Sequence, residues 1–492
     1  MTTPYSTAVP LFSTAMKPTW VPNELDIQRI ASYTLYEQIY WTVPDTLKLV
    51  ARGYEDKPIY VPTGRTIVDT THRYTAPGFK FATQTRLDSQ GTDTAPSQQF
   101  FTDLFKREEF YTRFSGNKRF GLIRGDWCWH ITADDTKPEG SRISITSLDP
   151  ASYFPITHDD DVDKIIGCHI VDTITVGNEA RIHRLTYRKT LDANGNPDGK
   201  GITVEEGIFK TDKWMGPTDR PEKVIQDVVQ LPPQITALPV YHIKNFEEPQ
   251  NPFGSSELRG FERLMAAVNQ AISDEELALA LDGLGMYETD APPPKVDGKK
   301  VPWTLGPGYV VEHPVGTNWR RVDGIKSVLP MQDHLDFLIK QLRQSSATPD
   351  IAVGVVDVTV AESGIARALQ LGPLLAKTDE KDGILVDKHT QMGFDLVNGW
   401  VPAFEKQTFD GIDLVPVIGD KVPSDRTAKL AELDNMLDRG VIDAEYYRSE
   451  ATKLGYVFPA DMGDRVTTEQ NASAARAAAD PFAQRADQEL NA

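Results

Sequence analysis

The stretch GSSELRGFERLMAAVNQAISDEELALALDG, residues 254–283, decides how the rest of the chain is interpreted. Its apolar residues follow one another at alternating intervals of three and four, which is the stripe of an amphipathic helix. These residues are Leu258, Phe261, Met265, Val268 and Ile272. Ser255 or Ser256 stands where a helix N-cap is expected. We therefore predict a helix over residues 254–282.

A second helix with the same spacing follows an insert. Its stripe consists of Met331, Leu335, Leu338 and Leu342, within residues 327–348. The insert, 283–326, contains APPPKVDGKKVPW, a composition typical of turns and loops. Residues 254–282 carry six carboxylates against two arginines, whereas the insert carries six cations and five carboxylates. This order fits an exposed contact module on an acidic stalk of two helices, or a plain surface hairpin.

The chain continues with PDIAVGVVDVTVAES, residues 349–363, a run of small and β-branched residues without lysine. A long helix is predicted next, over about 364–404, with an apolar stripe. The stripe includes Leu385, Met392, Leu396 and Trp400. Two shorter helices are predicted at 425–439 and 443–454. The Ala-rich polar tail, 465–492, is expected to be disordered.

Upstream of residue 254, helical and strand patterns are mixed. Helical spacing is found in 23–43, which ends before Pro44, and in 97–123. The first stripe includes Ile27 and Ile30; candidate core residues of the second are Phe101, Leu104, Phe105 and Phe114. Short β-branched and aromatic runs at 126–133, 141–148, 168–176 and 181–190 predict antiparallel strands, extending to about Tyr241. The predicted fold class is therefore α+β.

Composition limits the functions that this chain can have. The 492 residues are 40% hydrophobic and 25% charged, as in a globular protein, and the net charge of −19 disfavours nucleic-acid binding over the whole surface. No apolar run of 18 residues is present, so no membrane span is expected. The first residues lack the pattern of a signal peptide, and the two cysteines do not form a disulfide framework.

We find no motif for catalysis or for a cofactor. P-loop, HExxH, GxSxG and dinucleotide-binding glycine patterns are absent from the sequence, so no enzyme activity is expected. Asp159, Asp161 and Asp163 have the spacing of a calcium loop, but Lys164 and Ile170 replace the glycine and glutamate that such a loop needs. We interpret them as an exposed turn.

Two further clusters, one of cysteines and histidines and one of basic residues, have the composition of binding sites but not the arrangement. Cys128, His130, Cys168 and His169 do not share one strand face, which disfavours a zinc site. A basic cluster among aromatic residues is more consistent with a solvated helix face, or an ion-pair surface between subunits, than with a phosphate site. It consists of Lys106, Arg107, Arg113, Lys118 and Arg119.

The order of these parts resembles that of the portal proteins of tailed double-stranded DNA bacteriophages, especially long-tailed phages of actinobacteria. The resemblance covers roughly residues 20–460. It is carried by NELDIQRIASYTLYEQIYWTVPDTLKLVARG, RGDWCWHI, ISITSLDPASYFPITHDDDVDKIIGCHIVD, NPFGSSELRGFERLMAAVNQAISDEE and ATPDIAVGVVDVTVAESGIARALQLGPLLAKTDEKD. Each motif alone is weak, whereas their order is fairly specific.

The resemblance implies a portal fold, of α+β class, whose subunits form a dodecameric ring. The implied regions are an N-terminal wing of helices and antiparallel strands (1–253), a first stem helix (254–282), a β-rich clip (283–326), a second stem helix (327–348), a tunnel loop (349–363), a long wing helix (364–409), a helical crown (410–464) and the tail (465–492).

It also implies site residues for a DNA channel. The tunnel loop would form a weakly polar collar that touches DNA without reading its bases. Its residues are Val353, Val355, Val356, Asp357, Val358, Thr359 and Val360. Acidic stem residues would repel DNA from the wall, namely Asp274, Glu275 and Glu276. Clip contacts would be made by Lys295, Lys299, Lys300, Arg320 and Arg321.

The implied function is packaging and ejection of double-stranded DNA through the ring at one capsid vertex of the virion. The implied partners are other copies of the chain, the DNA, the terminase large subunit, a head-completion or adaptor protein, and the major capsid and scaffold proteins. The chain would be made in the host cytoplasm, with no membrane and no cofactor. Two alternatives stay open: another ring-forming head or tail protein, and a nuclease whose acidic clusters bind a divalent metal.

Overall fold

The structure is a computed structural model of the chain. It describes residues 24–51, 58–86, 94–158, 160–192, 196–210, 223–249, 251–284, 286–303, 314–322, 329–355, 369–421 and 426–453, together with Met462, Arg465, Val466 and Thr468. The chain divides into two compact units, Met1–Lys421 and Val422–Ala492. No described helix is both long enough and apolar enough to cross a lipid bilayer.

The described part of the first unit contains seven α-helices. They are α1 (Glu24–Tyr40), α2 (Thr63–Tyr74), α3 (Ala95–Arg107), α4 (Phe110–Arg124), α5 (Glu262–Leu284), α6 (Leu329–Ser345) and α7 (Gly372–Asp395). A π-helix, Leu396–Glu405, continues α7. The described part of the second unit contains α8 (Arg426–Asp438) and α9 (Ala444–Lys453), close to the helical pair predicted there.

All of the strands among the described residues belong to the first unit. They are β1 (Lys80–Thr85), β2 (Asp126–Ala133), β3 (Ile143–Leu148), β4 (Tyr153–His158), β5 (Asp161–Val176), β6 (Glu179–Leu191), β7 (Pro197–Lys210), β8 (Lys223–Gln230), β9 (Val240–Lys244), β10 (Met286–Thr289), β11 (Lys295–Val296), β12 (Lys299–Lys300), β13 (Trp319–Val322) and β14 (Ile412–Val417).

Every described strand pair is antiparallel. The largest sheet has the order β4-β5-β6-β7-β8, a meander of neighbouring strands, and a second sheet has the order β3-β2-β9. Helices and antiparallel sheets therefore share one unit, which confirms the predicted α+β class.

The main core lies where α3, α4 and α7 meet the β3-β2-β9 sheet. Trp129 on β2 is fully buried and stacks on Phe110, with ring centroids 4.6 Å apart. The predicted core residues Phe101, Leu104, Phe105 and Phe114 are all buried in this cluster, as are the four predicted for the long helix. The aromatic side chains of α3 and α4 therefore anchor the helices to the sheet.

The predicted helical hairpin is present, but its first helix begins at Glu262 rather than at 254. Ser255 and Ser256 do not cap it. Ser256 Oγ donates to the carbonyl of Ile123, and Ser255 Oγ donates to Glu248. Residues 255–258 are buried against α4. Because their polar groups bind to α4 and to Glu248, this segment forms turns instead of a first helical turn.

The two hairpin helices run antiparallel, with their base buried and their tip exposed. Leu258, Met265 and Leu342 belong to one hydrophobic cluster with residues of α1, α2 and α4. Farther along, Gln332 on α6 donates to Glu275 on α5 at 3.2 Å. The hairpin is therefore rooted in a helical core at its base, whereas its far end carries the insert.

Two further expectations are corrected, and one helix is found that the sequence did not predict. The predicted crown, 410–464, opens with β14, which pairs with β1 in the first unit, so its first part is not helical. Ile27, predicted on the buried stripe of α1, is exposed. Helix α2 was not predicted, because its sequence TGRTIVDTTHRY has two aliphatic residues and many threonines.

Acid sensitivity is expected from His389 on α7, which is fully buried. Its Nε2 accepts a hydrogen bond from Trp129 Nε1 at 3.1 Å, and its Nδ1 donates to the Leu385 carbonyl at 2.7 Å. Burial lowers the pKa of His389 to about 4, so the unfolded chain binds this proton at higher pH than the folded one. The free energy of unfolding should therefore fall by about 1.4 kcal/mol per pH unit from this residue between pH 6.5 and 4.

The test is His389→Gln, which keeps an acceptor for Trp129 and removes the titration. We expect the decline of the unfolding free energy between pH 6.5 and 4.5 to become shallower by about one proton, measured by urea unfolding. At pH 8, where the histidine is neutral in both states, the difference in unfolding free energy between wild type and variant measures the loss of packing alone. An unchanged slope would show that His389 does not carry this acid sensitivity.

Candidate functional site

The described part of the insert at the end of the hairpin contains two short strand pairs. In the outer pair, β10 and β13, Glu288 lies opposite Arg320. Arg320 forms a forked ion pair with this carboxylate, with Nε–Oε2 at 3.1 Å and Nη2–Oε2 at 2.8 Å. Arg320, one of the predicted contact residues, is thus neutralised within the chain. Arg321 lies opposite Tyr287 in the same pair.

The inner pair, β11 and β12, forms a small lysine-rich hairpin, which we call the lysine tip (residues 295–300). Lys295 lies opposite Lys300, and Val296 lies opposite Lys299. Asp297 and Gly298 join the strands with φ of 51° and 77°, the two positive values of a type I′ turn. All three lysines are exposed. The structure thus brings together the three predicted lysines on one strand pair, whereas Arg320 belongs to the other.

Only the start of the predicted tunnel loop is described. Residues Asp350–Val353 form a 3-10 turn, held by an ion pair of 2.5 Å between Asp350 and Arg343 of α6. Val353 is half-buried, and Val355 is exposed after Gly354, whose φ is 86°. The other predicted loop residues, Val356, Asp357, Val358, Thr359 and Val360, lie outside the described residues.

The predicted acidic wall residues of α5 do not share one environment. Asp274 accepts from Gln270 at 2.8 Å, on the side where Gln270 also binds the backbone of Val50. Glu275 faces α6 through its hydrogen bond with Gln332. Glu276 is exposed. Of the three, Glu276 is the residue whose side chain is exposed to solvent, as a residue that lines a DNA channel must be.

A buried ion cluster, which the sequence did not predict, lies at the base of the hairpin. Glu257, just before α5, is 4% exposed and pairs with two lysines of α7. Its Oε1 lies 2.7 Å from Lys377 Nζ, and its Oε2 lies 3.0 Å from Lys381 Nζ. We call Glu257, Lys377 and Lys381 the basal ion cluster.

The cluster connects both ends of the hairpin to α7. Lys377 Nζ also donates to the carbonyl of Ser346, directly after α6, at 2.7 Å, and to Thr71 of α2 at 3.0 Å. Lys381 Nζ donates to Asn245 Oδ1 at 2.8 Å and lies 3.3 Å from the centre of the Phe246 ring. One carboxylate and two ammonium groups therefore hold the hairpin base against α7.

Burial and mutual attraction set the protonation of this cluster. Burial raises the pKa of Glu257, but the two lysines outweigh it and keep the pKa below its usual value. Burial lowers the pKa of Lys381 to about 8, although Glu257 acts in the opposite direction. The lowered pKa of Glu257 keeps its carboxylate ionised at neutral pH, so the cluster acts as a structural anchor.

The rejected sites have other roles in the fold. His130 and His169 bind Tyr187 and Thr186, and Cys128 and Cys168 are buried free thiols. Asp161 lies opposite His158 in the β4–β5 hairpin, while Asp159 is not described. Within the described ranges no group of three or more His, Cys, Asp or Glu residues could hold a metal ion.

The predicted basic cluster is mostly engaged within the chain rather than solvated. Arg107 and Arg113 donate to the carbonyls of Ile143 and Ile145 on β3, at 2.7 and 2.9 Å. Lys118 is buried and donates to the carbonyl of Thr75 at 2.5 Å. Arg119 pairs with Asp69, whereas Lys106 is exposed. Two of the five cations therefore join α3 and α4 to β3, and two others join α4 to α2 and the residue that follows it.

No family model and no curated protein matches this chain. Among solved structures, it is similar to a chain of a structure described as "Neck of empty GTA particle computed with C6 symmetry", with TM-score 0.44, 14% identity, 92% of this chain and 100% of that chain covered. It is also similar to chains of "Virion of native gene transfer agent (GTA) particle" (TM-score 0.43, 14% identity, 92% and 99% covered). A third is from "Neck of native GTA particle computed with C12 symmetry" (TM-score 0.40, 14% identity, 91% and 97% covered).

Proposed function

We propose that the chain is a portal protein of a tailed double-stranded DNA bacteriophage, a non-enzymatic subunit of the ring at one vertex of the virion. Genomic DNA would be packaged and ejected through that ring. The observation that carries the proposal is the hairpin of α5 and α6, which is rooted in the wing and ends in an insert of short strands. Its place in the chain agrees with the stem–clip–stem order that the sequence resembles.

The anchoring of the hairpin supports its proposed role as part of a channel wall. A channel through which DNA is pumped needs helices that keep a fixed orientation. Here the segment before α5 and the segment after α6 are both bound to α7 by the basal ion cluster. The same elements meet α1, α2 and α4 in a hydrophobic cluster. A polar anchor and an apolar anchor thus fix the hairpin in one orientation.

The chemistry of the predicted channel residues supports a conduit that does not retain its cargo. The first turn of the predicted tunnel loop is apolar apart from Asp350, which is paired with Arg343. An apolar loop contacts DNA without forming the phosphate contacts that give affinity. Exposed carboxylates such as Glu276 would repel the DNA backbone.

We propose as partners the terminase large subunit during packaging and a head-completion or adaptor protein afterwards, both docking on the insert. Contacts with the major capsid and scaffold proteins would be made by the wing. No cofactor is part of this proposal. The DNA would pass without sequence specificity, because the apolar start of the predicted loop offers no side chain that reads base edges.

The proposal predicts a closed ring. We expect native mass spectrometry of the purified chain to give a single large oligomer of about twelve copies, because closed cyclic assemblies have a defined subunit number. Electron microscopy of the same sample should show a central hole and a stalk.

Other outcomes would point to other functions. Hexamers or tubes would favour a different ring-forming head or tail protein. A stable monomer across salt conditions, with and without scaffold protein, would overturn the proposal. Metal-dependent DNA cleavage by the purified chain would favour a nuclease instead.

A further inference from the structure

We propose that the lysine tip contacts the phosphate backbone of double-stranded DNA. This inference rests on the proposed function, in which DNA passes along the hairpin. It assigns the electrostatic contact with DNA to the insert and not to the predicted tunnel loop, which has no lysine. The contact is independent of base sequence.

The lysine tip places like charges next to each other. Lys295 and Lys300 are directly opposed on an antiparallel pair, so their side chains share one face of the hairpin. The Cβ atoms of such a pair are about 5 Å apart, and like charges at this distance repel. Lys299, the neighbour of Lys300 in the chain, adds a third charge on the other face, opposite Val296. An anion placed near the tip relieves this repulsion.

No neutralising group for these lysines is found among the residues that the structure describes. Ion pairs are numerous elsewhere, and Arg320 on the neighbouring pair is matched with Glu288. By contrast, no described carboxylate lies within ion-pair distance of Lys295, Lys299 or Lys300. In a chain with a net charge of −19, three exposed lysines on a six-residue hairpin are an exception to the overall charge.

The composition of the tip favours a nucleic acid over a protein partner. Energetically important residues at protein interfaces are mainly Trp, Tyr and Arg, and lysine is depleted there. The tip has none of these three types, and its one apolar side chain is Val296. The tryptophans of the insert, Trp303 and Trp319, contact each other edge to face with centroids 5.0 Å apart. Lysine, in contrast, is a common ligand of DNA phosphates.

The contact fits a moving polymer. DNA carries one charge per about 1.7 Å of its axis, so flexible ammonium groups find a phosphate at any position along it. Lysine is a point charge on a flexible stem and lacks the fixed fork by which arginine binds phosphate in two places. The tip therefore centres the duplex through contacts that form and break easily.

The test compares two triple variants of the assembled ring. The tip variant is Lys295→Gln, Lys299→Gln, Lys300→Gln. The matched control is Lys106→Gln, Lys137→Gln, Lys340→Gln, which removes three other exposed lysines and changes the net charge equally. Binding of a fluorescent blunt-ended duplex is measured by anisotropy over a series of salt concentrations, after native mass spectrometry has shown the oligomeric state of each sample.

We expect the tip variant to form rings and to bind DNA more weakly at low salt. Its slope of log K against log salt should be shallower by about 1 for each phosphate contact that is lost. Rings whose DNA binding is reduced equally by both variants, or by neither, would overturn this contact and leave the proposed function intact. The same holds if the tip variant loses only the binding of a head-completion protein. A wild-type chain that forms no ring, with or without scaffold protein, overturns both proposals.

Discussion

Glu257→Gln should destabilise the fold by about 3–5 kcal/mol, the range found when one partner of a buried ion pair is removed. The substitution keeps the size of the side chain but removes the only carboxylate of the basal ion cluster. Lys377 and Lys381 then remain near the hairpin base without a counter-charge. Urea unfolding of the purified protein, followed by tryptophan fluorescence, measures the change.

The matched control is Glu288→Gln on β10. It removes the same charge from an ion pair whose side chains are 73% and 56% exposed. Because exposed ion pairs are screened by water and salt, we expect Glu288→Gln to lower the free energy of unfolding by less than about 1 kcal/mol. If the two substitutions had similar effects, the basal ion cluster would not be an anchor.

A second substitution separates the charge from the packing. In Glu257→Gln with Lys381→Met, one of the two unpaired charges is replaced by an apolar side chain beside Phe246. We expect the double variant to recover part of the lost stability, because it no longer buries an uncompensated ammonium group. A simple loss of packing would instead make the double variant less stable than either single one.

The pH dependence of the single variant gives an independent check. In the wild-type chain Lys381 has a pKa of about 8, lowered by burial, and Glu257 keeps it from falling further. Without Glu257 this pKa should be lower still, so the folded variant releases the proton at a pH where the unfolded chain still binds it. The free energy of unfolding of the variant then rises with pH. The difference in this free energy between the variant and the wild type should therefore become smaller as the pH approaches 8.

The sequence predicts those parts of the fold that depend on local patterns. Helices with a clear apolar stripe, such as α6 and α7, lie close to the predicted ranges, and the strand run at 126–133 coincides with β2. The predicted start of α5 is wrong, because Ser255 and Ser256 have the composition of a cap but bind to Glu248 and to the carbonyl of Ile123. Composition at a helix start does not reveal competing tertiary partners.

The basal ion cluster could not be predicted, because its members come from distant parts of the chain. A carboxylate in a turn and two lysines on a helix look like ordinary surface charges until they are brought together. The one local signal is that Lys377 and Lys381 are spaced by four, and therefore share a helix face, in α7. Similarly, nothing local indicates that β1 pairs with β14 at the other end of the first unit.

We expect the second large loss of stability from Gly393→Ala in α7, because this residue packs against β14, which is paired with β1. A Cβ atom at Gly393 would lie 2.2 Å from the carbonyl oxygen of Leu414 on β14. Leu414 is buried and paired with Thr83 of β1, so the strand cannot move away without disturbing the sheet. We expect a loss of about 3 kcal/mol, at the upper end of the usual range for overpacking, measured as a lower urea midpoint.

Gly383→Ala is the control for this substitution, because it changes the same residue type in the same helix. Gly383 is exposed, and an added Cβ would meet nothing within 4 Å. Alanine is a better helix former than glycine, so this variant should gain about 0.5–1 kcal/mol. Opposite signs at the two positions would show that α7 must approach β14 closely for the helix to pack on the β1–β14 sheet. If Gly393→Ala were also stabilising, helix propensity would outweigh that contact.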